Sequence, residues 1–328
     1  MVGLVTGLGL VGWGGIASIG GLVAGALALQ GRMRSRRKAE ARDVQGEPRA
    51  DAGGPSGPNG ELPPWEVYKR QIEGRKKAFA TERGSALIAI IHHEYDEYVD
   101  HDTAVEVIDV LRKAGPNARV DVILHTPGGI SSATQQILHA LKEHKGPKTA
   151  FVPYRAKSAG TMIALACDEI VMGPSAVLGP IDPQYGWMPA QYLAELTKDK
   201  SADRVDDDMI ILSKMAKQAM AEARQFACEY VNDAHKHDGT CSFTEDLIIG
   251  GRNHDYPILP GEAKDDFRLN ISTSMPEGPY GICQPPPKDD PFLIVSMFQS
   301  QNADGNADAD RPVRTRRPRR PADRELFR

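Results

Sequence analysis

The middle of this 328-residue chain is predicted to be an α/β protein, with repeated strand–helix units building a parallel sheet. Two observations predict it: short apolar runs alternate with amphipathic stretches, and no internal repeat of solenoid length breaks their order. Trp65 to Arg83 reads as a helix. Ser85 to Ile91 (SALIAII) suits a buried strand, and Thr103 to Ala114 is amphipathic, with Val107, Val110 and Leu111 at helical spacing. Strand Val120 to Leu124, helix Ser131 to His144, strand Thr149 to Val152, a helix opening near Ser158, and strand Glu169 to Met172 continue the alternation. A long helical region over Asp206 to Asp233 and a turn and helix around Gly261 to Phe267 complete a domain spanning 65–298.

The flanks differ from the body. Val2 to Leu29 carries no charged side chain, and at about 1.5 Å per residue it exceeds a hydrocarbon core of about 30 Å. Residues 1–31 are therefore expected to form a transmembrane helix, and Gly21 and Gly25 have the spacing that lets two helix backbones approach closely. Ala26-Leu-Ala28 resembles a signal-peptide cleavage site, but no Lys or Arg precedes the apolar run, whereas Arg32, Arg34, Arg36, Arg37 and Lys38 follow it. Basic residues stay on the cytoplasmic side, so the expectation is a retained single-pass anchor in the cell membrane with the catalytic domain in the cytoplasm. Residues 32–64, with Gly54-Pro-Ser-Gly-Pro-Asn-Gly60, read as a basic and then disordered linker, and 299–328, with Arg314-Thr-Arg-Arg-Pro-Arg-Arg320, as a disordered basic tail.

A hydrophobic fraction of 41%, a charged fraction of 26% and a net charge of -4 with both signs mixed describe a globular body without an electrostatic footprint for nucleic acid. Cys167, Cys228, Cys241 and Cys283 lie far apart without metal-ligand spacing, and free thiols in a reducing compartment are expected.

Ligands of an open α/β sheet sit where strands end and helices begin. The strand Val120 to Leu124 ends in His125-Thr-Pro-Gly-Gly129, whose glycines let the backbone present N–H groups closely enough to hold an oxyanion. The next strand leads into Lys157-Ser-Ala-Gly-Thr161, which leaves Ser158 at a helix mouth. Ser158 alone could be a helix N-cap, and the glycines alone a plain turn. Together, on neighbouring strand ends, they supply a nucleophile and an oxyanion hole.

The runs HTPGG at 125–129, KSAGT at 157–161, CDEIVM at 167–172, LGPIDPQ at 178–184 and HDYPI at 254–258 resemble the serine dehydrogenase proteinase family, a branch of the ClpP/crotonase-like superfamily related to signal peptide peptidase A. The resemblance runs from about Ser85 to Leu269. It implies a ClpP/crotonase-like fold and a serine peptidase acting on proteins or peptides, with Ser158 as nucleophile, Gly128 and Gly129 as oxyanion hole, no cofactor or metal, and homo-oligomeric assembly. Ala159 departs from the glycine that commonly follows the family's serine, which narrows the site beside the nucleophile.

Serine needs a proton acceptor. No histidine occurs between Ser158 and His235, so the ClpP-type position is not filled and a Ser–Lys dyad is expected. Lys198, Lys200, Lys214 and Lys217 are candidates. Lys200, 42 residues after the serine and ahead of the long helix, ranks first by similarity to lysine-dyad relatives. His254 is the rival base, with fixing the turn before Pro257 as its other role. The run His92 to Asp102 is crowded with imidazoles and carboxylates, yet it joins a strand to a helix that Asp100 or Asp102 suits as a cap, so no metal is assigned. Lys157 is read as a surface or ion-paired residue. The expected function is a membrane-anchored serine peptidase; the alternative is a catalytically inactive, oligomeric membrane scaffold of the same fold.

Overall fold

The computed structural model describes Leu62 and residues 64–287, apart from Tyr95, Asp96, Trp187, Ala202, Asp203, Asp238 and Gly250. The expected membrane segment, most of the linker and the basic tail lie outside the described residues. Among the described helices none is long and apolar enough to cross a membrane.

In chain order the first elements are α1 (Pro64–Arg83), β1 (Ala86–Ile91), α2 (His101–Ala114), β2 (Val120–His125), α3 (Ser131–Glu143), β3 (Lys148–Val152), β4 (Arg155–Ala156), α4 (Ala159–Leu165) and β5 (Glu169–Met172). Then come β6 (Val177–Leu178), β7 (Gln184–Tyr185), β8 (Met188–Pro189), α5 (Ala190–Asp199), α6 (Asp207–Tyr230), α7 (Phe243–Ile249), α8 (Pro260–Asp265), β9 (Ile271–Ser272) and α9 (Glu277–Ile282). The central sheet has the order β1-β2-β3-β5-β9, and each of its pairings is parallel. The expected strand–helix alternation is thus the observed architecture.

The parallel strands are apolar on both faces because both faces are covered. Val122 and Leu124 of β2 pack with Val107, Leu111, Ile137 and Leu141 from α2 and α3. On the opposite face Ile123, Phe151 and Val171 pack with Phe79 of α1 and Ile282 of α9. Asp121 is the charged exception in β2, fully buried, and a buried carboxylate is tolerated only when paired. It accepts hydrogen bonds from Arg83 Nε at 2.5 Å, Arg83 Nη2 at 3.1 Å and Ser85 Oγ at 2.6 Å, which fasten the end of α1 to the sheet.

Asp100 caps α2 in a capping box with Thr103, accepting from its backbone N–H at 3.0 Å, and this accounts for one carboxylate of the His92–Asp102 run. The two-residue strands, the β7–β8 hairpin, α7 and α9 are additions to the sequence expectation, too short to display a period, and the ten-residue α5 is a further addition.

The cysteine expectation is corrected. Cys228, near the end of α6, and Cys241 form a disulfide with Cα atoms 5.6 Å apart, while Cys167 and Cys283 are free and buried. The chain leaves α6, makes a single 3-10 turn over Asp233–His235 and returns Cys241 beside the helix end. Such a return cannot be read from a 13-residue spacing.

Candidate active site

The site is assembled by two loops and one antiparallel contact. Past the end of β2, Thr126 bridges to Ala156 of β4, and the Lys157 backbone N–H donates to the Thr126 carbonyl at 3.1 Å. This pairing brings the glycine turn against the nucleophile loop. Gly129 bridges to Val99, and a Cβ there would lie 2.2 Å from the Val99 carbonyl oxygen, so only glycine fits. Gly128 has φ +120, and a Cβ on it would stand 2.8 Å from Ser158 Cβ. The turn therefore touches the serine directly.

Ser158 precedes α4 with φ 51 and ψ -114, a left-handed conformation that costs a non-glycine residue about 1–3 kcal/mol. Its side chain makes no capping hydrogen bond, so the N-cap role does not hold. Half-buried, Ser158 lines a cleft of about 800 Å³ together with Gly129, Ala159, Asp182 and His254.

The antiparallel contact supplies the remaining groups. Leu178 at the end of β6 and Ile258 exchange backbone hydrogen bonds of 2.9 and 3.0 Å. Four residues on from Leu178 is Asp182, and four back from Ile258 is His254, so this register sets them opposite each other. His254 Nδ1 lies 2.7 Å from Asp182 Oδ1, and the Asp182 side chain is nearly buried. The other carboxylate oxygen, Oδ2, accepts from Gln184 Nε2. A carboxylate only accepts, so Nδ1 carries a proton, and in the neutral imidazole Nε2 presents a lone pair.

The base loop is tied to the nucleophile loop from outside. Lys157 Nζ donates to the Asp255 backbone carbonyl at 2.9 Å and to Asp255 Oδ1 at 3.0 Å. The expected ion-paired role of Lys157 is the observed one, and hydrogen bonding from its ammonium holds the Asp255 carboxyl below the usual carboxylate range.

The lysine candidates lie elsewhere. Lys200 follows the last turn of α5 and is exposed, Lys198 is exposed and paired with Glu195 at 3.6 Å, and Lys214 and Lys217 are exposed on α6. None of the four lines the cleft that Ser158 lines. Gly128 also differs from expectation in detail. Its N–H donates to Thr126 Oγ1 at 3.1 Å, and that hydroxyl is 2.8 Å from His92 Nδ1. Asp182 and His254 stand in the separate runs LGPIDPQ and HDYPI, and nothing local to either run pairs them. The missing link was the strand register between those runs.

The family model of ClpP-like SDH-type serine proteinases matches residues 62–285. Two uncharacterised proteins of Methanocaldococcus jannaschii are similar: MJ0137 at 34% identity over 68% of this chain and 82% of its own, and MJ1495 at 31% over 69% and 82%. Among solved structures, an alanine variant of the 1510-N membrane-bound stomatin-specific protease is 18% identical over 56% of this chain and 77% of that one, with a TM-score of 0.39. A second variant of that protease, in complex with a substrate peptide, is 19% identical over 56% and 73%, with a TM-score of 0.38. With more than half of its residues covered by the family model, the chain belongs to the ClpP-like SDH-type serine proteinase family and is a serine-type peptidase.

Proposed function

We propose that this peptidase works through a Ser158–His254–Asp182 triad, with the backbone N–H groups of Gly129 and Ala159 as its oxyanion hole. The observation that carries the reading is that Ser158 and an Asp182-paired His254 open on one cleft. His254 Nε2 takes the proton from Ser158 Oγ as that oxygen attacks the scissile carbonyl. Asp182 keeps the imidazole in the tautomer that can accept it and stabilises the imidazolium that results. The carbonyl oxygen becomes an oxyanion, and Gly129 N–H and Ala159 N–H donate to it. His254 then returns the proton to the departing amine, and water, deprotonated by the same nitrogen, releases the acyl group.

This reading prefers His254 to Lys200. A lysine base must be desolvated to be neutral, and Lys200 is exposed. It also passes the Gly128 role to Ala159, because the Gly128 N–H is already taken by Thr126. In the resting arrangement Ser158 and His254 share no hydrogen bond among those described, and the contact closes when substrate fills the cleft. The chain is further proposed to be anchored in the cell membrane by residues 1–31, with its catalytic domain on the cytoplasmic side, and to act as a homo-oligomer. The uncharged run Val2 to Leu29 and the arginines that follow support the anchoring.

The test is cleavage of an unfolded protein such as reduced, alkylated lysozyme. The wild type cleaves it, Ser158→Ala does not, and His254→Gln loses at least a thousandfold in rate. Cleavage that survives Ser158→Ala ends the proposal.

A further inference from the structure

The cleft's charges carry a statement about the substrate, resting on the reading just given. Three carboxylates line it, those of Asp182, Glu222 and Asp255, and no Lys or Arg does so among the described residues. Asp182 is engaged by His254 and Gln184, and Asp255 by Lys157. Glu222 is different: the hydrogen-bond partner seen for its carboxylate is a neutral amide, Gln218 Nε2, at 2.9 Å.

Its placement follows from helix geometry. Ala219, Glu222, Ala223 and Phe226 stand at i, i+3, i+4 and i+7 on α6 and line the cleft together. Tyr185 of the β7–β8 hairpin lines the same cleft. Burial first, and then the charge of Glu222, push its phenol up, so the carboxylate's field reaches that wall. Glu222 is exposed on the cleft wall, with Ala219, Ala223 and Phe226 of its own helix as the neighbouring lining residues. A carboxylate in such a setting attracts a cationic side chain and repels an anionic one.

We infer that Glu222 is a specificity-determining residue, which selects polypeptide segments with a Lys or Arg side chain close to the scissile bond within an otherwise apolar sequence, and rejects acidic ones.

The experiment uses internally quenched peptides of apolar and small residues, in which one Lys, Gln or Glu is walked through each position. The ratio of kcat/KM for Lys over Glu is measured within each protein, so that differences in folded fraction cancel. For the wild type the ratio is roughly fivefold at one position, the size of an exposed ion pair. For Glu222→Gln it falls towards one, and for Glu222→Lys it inverts. A wild-type ratio near one at every position, or a ratio that Glu222→Lys leaves unchanged, overturns the inference while the triad stands. Labelling of the wild type by a small neutral fluorophosphonate distinguishes the deeper failure: labelling that does not require Ser158 removes the triad, and this inference with it.

Discussion

Lys157 offers a test of how the site is held together. Its ammonium reaches from the residue before the nucleophile to the residue after the base, with bonds of 2.9 Å to the Asp255 carbonyl and 3.0 Å to the Asp255 carboxylate. The two bonds are unequal in worth. The Asp255 side chain is 88% exposed, so its ion pair is screened and contributes well under 1 kcal/mol. The bond to the carbonyl comes from a charged donor that is itself 20% exposed, and contributes about 1.5–2 kcal/mol. In Lys157→Met both are lost, and the His254 segment is released by about 2 kcal/mol, which corresponds to roughly a 30-fold smaller population of correctly placed base. The rate constant for fluorophosphonate labelling of Ser158 should fall by that factor. Asp255→Ala keeps the backbone carbonyl and should fall less than about fivefold. Labelling of Lys157→Met within twofold of the wild type would refute the tether, as would an Asp255→Ala defect equal to that of Lys157→Met.

Asp182→Asn should lower the peptide cleavage rate by about 10³–10⁴-fold, because the amide can donate to Nδ1 and so favours the tautomer whose Nε2 holds a proton; steady-state kinetics on a quenched peptide reads it. Gly128→Ala places a methyl 2.8 Å from Ser158 Cβ at a φ that alanine avoids. It should abolish labelling and cost about 1–3 kcal/mol in urea unfolding. Acid should destabilise the fold. His235 is fully buried, with Nε2 3.0 Å from the Cys167 carbonyl and Nδ1 accepting from Asn270 N–H at 3.0 Å, and burial lowers its pKa to about 4. The unfolded chain binds this proton below about pH 6.5, so stability is intact above that pH and falls as pH drops towards 4. Urea unfolding at pH 7.5 and 5 should differ by about 2 kcal/mol from His235 alone, with a smaller addition from His125, also lowered to about 4 by burial. Equal stabilities at the two pH values would contradict the neutral buried imidazole.

Much of the sheet was legible because parallel strands buried on both faces must be apolar runs, and Ser85 to Ile91, Val120 to Leu124 and Thr149 to Val152 have no other use for such composition. The loops at their ends were legible for a related reason. Gly129 sits where the Val99 backbone leaves no room for a side chain, and Ser158 stands at a helix mouth with small neighbours. The base was harder. Asp182 and His254 are 72 residues apart in the chain and meet through a single antiparallel contact between Leu178 and Ile258, too short to leave an alternating pattern. Counting forward from the serine pointed instead to Lys200, which the fold leaves exposed after the last turn of α5. The Cys228–Cys241 disulfide was hidden for the same reason, because it depends on the return of the chain after α6 rather than on any local signal.

The central claim is that His254, and not a lysine, activates Ser158. The most direct measurement is peptide mass spectrometry of the fluorophosphonate adduct formed under single-exposure conditions by the wild type, His254→Gln and Lys200→Ala. The triad predicts an adduct on Ser158 in the wild type and in Lys200→Ala at comparable rates, and a loss of about a thousandfold in His254→Gln. An adduct that persists in His254→Gln and disappears in Lys200→Ala would contradict it.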